Sequence, residues 1–187
     1  METVQSQPKA APDRAERFIN SIIQRCQEDK GLAARLRRAD NPSTEYQSWE
    51  LLAAYGVDLE KEWKRLPFAT LAAAIAKAKI ERNGNLGLGR AIAACYDDGR
   101  DNAQAKARLR RLLACDDLPE LCRILRPLFS LIDSKAGRPL DYAHLLRQLQ
   151  RFAFDAQRIK VQWAQEFYGN ATADDGDGGA NDVKEDA

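Results

Sequence analysis

Apolar residues recur three or four positions apart along most of this chain, the spacing that lines one face of a helix. Phe18, Ile19, Ile22, Ile23 and Cys26 form the first such stripe, and Phe68, Leu71, Ile75 and Ala78 form another. Beyond Ala107 the stripes are leucine-rich: Leu109, Leu112 and Leu113; then Leu121, Leu125, Leu128 and Ile132; then Leu145, Leu146, Leu149 and Phe152. The pattern predicts helices over 13–29, bent or broken by Gly31, then 32–39 and 45–55, the last closed by Gly56. A short charged segment surrounds Trp63, and Pro67 is expected to open an alanine-rich helix reaching about Arg82. Further helices are predicted over 88–96, 103–114, 118–135, 142–154 and 156–167, with Pro127 kinking the third of these.

β-Branched residues are few and long stretches lack Gly or Pro, which predicts an all-α protein. The polar loop 97–102 marks a boundary between two small helical lobes, or helical bundles, in one elongated chain. Their predicted extents are 13–100 and 101–170. Residues 1–12 and the Asp/Gly-rich segment 171–187 are expected to be disordered. No run of about 18 apolar residues exists and the N-terminal residues lack a signal-peptide layout, so no membrane association and a cytoplasmic location are expected.

The net charge of +1 conceals a segregation. Six acids and one lysine lie in 171–187, whereas residues 11–170 hold 27 basic and 21 acidic residues, a body of +6. That excess suits a protein that helps hold a polyanion rather than one that grips it alone. Arginines are threaded through the leucine-rich helices, and a guanidinium stays charged at any biological pH and forks onto phosphate oxygens. Each also has the ordinary alternative of a solvated face or an intramolecular ion pair.

Candidate chemistry is sparse. His144 is the single histidine and sits inside a leucine-rich helix, where a structural or surface role is expected, and no triad can be assembled around it. The four cysteines form no C-x-x-C pair and read as buried free thiols; neither a metal nor another cofactor is expected. Asn83–Arg90 (NGNLGLGR) lacks the lysine of a phosphate loop and follows no strand, so its glycines are expected to supply a turn between helices. Asp97-Asp98 and Asp116-Asp117 lack the further carboxylates of a two-metal site, and Asp117 is placed to cap the helix beginning at Leu118. Trp163, among Ile159, Val161 and Phe167, is expected in the core. These readings predict a protein that is not an enzyme.

Several short stretches together carry a family resemblance: Arg37-Arg38; Leu88-Gly89-Arg90-Ala91; Arg108 through Asp116 (RLRRLLACD); Leu140 through Arg147 (LDYAHLLR); and Val161 through Gly169 (VQWAQEFYG). In order and spacing the chain resembles, over roughly 13–170, the small subunit of the type I-E CRISPR surveillance complex Cascade, the CasB family. The resemblance implies a non-catalytic subunit present in two head-to-tail copies, set against the backbone subunits that carry the crRNA and between the head and tail subunits. It implies partners in the target DNA of the R-loop and in the displaced single strand, which runs over a basic surface and needs no sequence readout. On the family pattern, the nucleic-acid-binding positions are Arg38, Arg90, Arg108, Arg111, Arg126, Arg147 and Arg158. Arg110, Arg111, Arg123 and Arg151 are weaker candidates, because helix geometry cannot point all of them one way. At Ala114 some family members carry a basic residue, and this chain departs from them. The alternative is a helical protein–protein scaffold without direct nucleic-acid contact.

Overall fold

The structure is a computed structural model that describes residues 11–169. Eight α-helices carry the fold, and the sole β feature among the described residues is an isolated parallel bridge between Leu86 and Leu140. Of the segments expected to be disordered, 1–10 and 171–187 lie outside the described residues.

Helix α1 (Arg14–Glu28) opens on Asp13, whose carboxylate accepts the Glu16 N–H at 2.8 Å, and turns Ala15, Phe18, Ile19, Ile22 and Ile23 inward. The break comes at Asp29, two residues before Gly31. Its N–H closes α1 on the Arg25 carbonyl, while its carboxylate accepts from the Leu32 N–H and opens α2 (Lys30–Arg38). One aspartate caps both helices. The helix expected over 45–55 is divided. Asn41 opens a 3-10 segment, Pro42–Ser48, in which the Ser48 hydroxyl donates to the Glu45 carbonyl, and only α3 (Trp49–Ala54) is α-helical before Gly56 turns the chain at φ +66°.

Helix α4 (Glu62–Ala78) begins five residues before Pro67, so that proline is interior and does not open the helix. It ends at Lys79 rather than near Arg82. Every residue from Leu66 to Ala76 is buried, as expected of a helix wrapped by others on all sides; α1, α2, α7 and α8 all pack on it. Helices α5 (Leu88–Ala94) and α6 (Ala103–Leu113) follow, then α7 (Leu118–Lys135), which stays a single α-helix through Pro127. Asp117 caps α7 through the Glu120 N–H at 3.0 Å, as its position predicted. Helix α8 (Tyr142–Tyr168) bends at Asp155 (φ −146°, ψ 47°), so the expected helices 142–154 and 156–167 are two halves of one rod with a joint.

The cut expected at residue 100 does not divide the core. Buried side chains from Ala15 to Phe167 form a single cluster. The physical reason is that α4 packs on α7 and α8, and α5 packs more closely on α8 than on any other element.

Candidate nucleic-acid interface

The glycines of Asn83–Arg90 do more than turn the chain. A Cβ on Gly84 would stand 1.8 Å from the Pro139 carbonyl oxygen, and one on Gly89 would stand 2.2 Å from that of Trp163. Their bare backbones let this segment lie against the 139–141 backbone and against α8. Gly84 N–H donates to the Leu140 carbonyl and Asp141 N–H to that of Leu86, while Asn83 bonds both the Asp141 carboxylate and the Tyr142 N–H. At the start of α5 the Gly89 N–H donates to the Glu166 carboxylate at 2.9 Å.

A polar chain continues from there into the core. Glu166 lies 3.6 Å from His144 Nε2, His144 meets the Gln148 amide nitrogen at 3.0 Å, and Gln148 Oε1 accepts from the buried Trp163 indole at 2.8 Å. The carboxylate of Glu166 raises the His144 pKa above its ordinary value, against an opposing effect of burial. His144 thus serves structure, and Trp163 sits wholly in the core.

Helix α6 runs back along the C-terminal half of α8. At one end the Arg100 guanidinium donates to the Tyr168 carbonyl; at the other, Lys160 pairs with Asp116 at 2.5 Å. Ala105, Leu109 and Leu112 face the core, which leaves Arg108, Arg110 and Arg111 on exposed faces of α6. Arg108 and Arg111, one turn apart, share a side. Tyr96, which no sequence pattern singles out, steadies Arg108: its hydroxyl accepts from Nε at 2.6 Å without neutralising the charge. On α8, Arg151 and Arg158 are exposed. Among the described residues none of Arg108, Arg110, Arg111, Arg151 and Arg158 has a carboxylate within ion-pair distance.

The other expected positions differ. Arg38 is exposed at the end of α2 and donates to the Gln47 amide oxygen at 3.0 Å. Arg90 is half-buried on α5 and is not free of partners. Arg126 is turned inward, its side chain 12% exposed, with Nε 3.3 Å from Asp40, which Lys77 also contacts. Arg147 reaches back to α1, 2.8 Å from Asp13 and 3.5 Å from Glu16. These last two fasten helices together, because carboxylates distant in sequence face them.

Among the described residues no three histidine, cysteine or carboxylate side chains are gathered as a metal site would require, and no helix is long and apolar enough to cross a membrane. The cysteines are free thiols; burial pushes Cys122 up to about 12.

Residues 32–168 match the model of the CRISPR-associated protein Cse2 family. The chain belongs to that family. Solved structures of similar fold include CasB of M. ruber (24% identity, 84% of this chain and 94% of that one, TM-score 0.68) and CasB of Thermus thermophilus (23%, 83% and 98%, 0.66). A chain of a CRISPR RNA-guided surveillance complex is also similar, at 21% identity over 82% of this chain and 89% of that one, with a TM-score of 0.64. The sequence matches no curated protein at a significant level. The match covers all of the helices from α3 onward and most of α2, so the α6–α8 face lies within the family's shared body.

Proposed function

We propose that this Cse2-family chain is a non-catalytic small subunit of a type I-E RNA-guided surveillance complex. In this reading it sits in two copies against the backbone, head and tail subunits. It steadies the R-loop by holding target or displaced DNA on the α6–α8 face. The observation that carries the proposal is the set of exposed arginines without carboxylate partners, Arg108 and Arg111 on α6 and Arg158 on α8, along two adjoining antiparallel helices of a Cse2-family fold. Weaker support comes from Arg38 and from Arg110 and Arg151 on the same two helices. A guanidinium not already paired neutralises a phosphate without first breaking an internal contact. No base-reading element is required, because guide pairing reads sequence and R-loop formation is nearly balanced, so a few backbone contacts tip it.

The test is R-loop lifetime in the assembled complex carrying Arg108→Ala/Arg111→Ala or Arg158→Ala, alongside salt titrations of single-stranded DNA binding by the free protein. Shortened lifetimes and a shallower salt dependence are expected. Unchanged lifetimes in both variants would sink the strand-holding role.

A protein-only scaffold is the second reading, and one observation favours it. Trp63 and Phe154 meet edge to face at 4.9 Å while both remain exposed, Phe154 to 72%. Exposed aromatics of this kind are enriched where proteins meet. Intact complex assembly with no DNA binding at low salt would select that reading.

A further inference from the structure

We propose that the hollow between α1, α2 and the C-terminal end of α4 is a binding site for a nucleotide phosphate, separate from the α6–α8 face. Its volume is about 360 Å³, toward the lower end of the range of ligand pockets. That leaves room for one nucleotide-sized group and not for a duplex. Ala33, Ile75, Ala76 and Ile80 give it an apolar floor, and Lys30, Arg37 and Lys79 stand around it. Planar apolar bases suit such a floor, and phosphate oxygens suit such a rim.

The three cations stand at or just beyond helix ends. Lys79 has φ +53°, the sole non-glycine residue with positive φ among the described residues, at a helix end where glycine is the ordinary choice. Lys30 stands where α1 ends and α2 begins, one residue past Asp29. Arg37 is half-buried and gives one nitrogen to the Ala76 carbonyl at 3.3 Å, leaving the rest of its fork unused among the described residues. None of the three has a carboxylate within ion-pair distance among those residues. The nearby acids are otherwise engaged or face solvent: Asp29 accepts from Leu32, Glu28 accepts from Gln24, and Glu81 is exposed.

A nucleotide phosphate can come as a free nucleotide or as the phosphorylated end of a strand. The experiment titrates the full chain with AMP, with inorganic phosphate, and with a short oligothymidylate bearing or lacking a 5′-phosphate. Amide shifts of Ala33, Lys79 and Ile80 are followed by NMR. Saturable shifts are expected with AMP or with the phosphorylated strand, whichever source applies. Lys79→Gly should weaken that binding about ten-fold. Because glycine suits φ +53°, the same variant should melt no lower than the parent, so the loss cannot be ascribed to unfolding. Arg108→Ala/Arg111→Ala should leave this binding unchanged, which separates it from strand holding on α6–α8. The inference is overturned if these amides do not respond to millimolar AMP or to the phosphorylated strand. It is equally overturned if Lys79→Gly binds as the parent does, or if both oligomers bind and do so equally well.

Discussion

Gly89 and Trp163 lie so close that α5 rests on the backbone of α8 itself, with the Trp163 carbonyl oxygen 2.2 Å from where a Gly89 side chain would begin. Neither neighbour can yield cheaply, since the clash is with main chain and Trp163 is fully buried. Gly89→Ala should therefore force the helices apart. Overpacking of this kind costs about 3 kcal/mol, a fall in melting temperature of roughly 10 °C for a domain of this size. Thermal unfolding followed by circular dichroism checks it; an unchanged midpoint would mean the contact is slack.

The neighbouring Glu166–His144 pair gives the fold a pH dependence. Glu166 raises the His144 pKa in the folded state, so the stability it adds is complete below the ordinary histidine value of 6.5 and is lost as pH rises through the higher folded value. The melting temperature of the parent should fall as pH rises above 6.5 for this reason, and His144→Gln or Glu166→Gln should flatten that part of the curve. The effect is small, because the imidazole is 40% exposed and water screens the pair.

Two arginines from one family pattern should behave oppositely. Arg126→Ala removes a largely buried partner of Asp40 and should cost about 2 kcal/mol of stability while leaving the salt dependence of DNA binding alone. Arg111→Ala should leave stability within about 0.5 kcal/mol and lower the salt slope by about one for the lost phosphate contact. Denaturant titration paired with fluorescence anisotropy separates the two.

The thiols should be graded by depth. Cys122, fully buried and held up to about 12, should resist alkylation at pH 8 until the protein unfolds, with Cys95 and Cys115 close behind. Cys26, half-buried beside the proposed phosphate hollow, should react first. Peptide mapping by mass spectrometry after a timed pulse reads this order.

Helices announced by local chemistry were legible in the sequence. Asp117 before a leucine stripe marks α7 to the residue, and Asp13 marks α1, because a cap and an amphipathic face are properties of neighbouring residues. Pro67 misled because it stands in the second turn of α4 rather than the first, and no capping residue ahead of Glu62 announces the earlier start. The arginines were legible as a population but not one by one. Whether Arg126 or Arg147 meets solvent depends on Asp40 and Asp13, 86 and 134 positions away, and only tertiary packing brings those carboxylates near. The glycines of Asn83–Arg90 are legible as a turn between helices, but nothing local reveals that the Pro139–Leu140 backbone lies against Gly84 and α8 against Gly89.

The joint at Asp155 divides the labour of α8. Its first half is fastened to α1 by Arg147, and its second half carries Arg158 and backs α5 and α6. The change of direction at Asp155 lets one continuous helix serve two neighbourhoods, its first half turned to α1 and its second to α5 and α6.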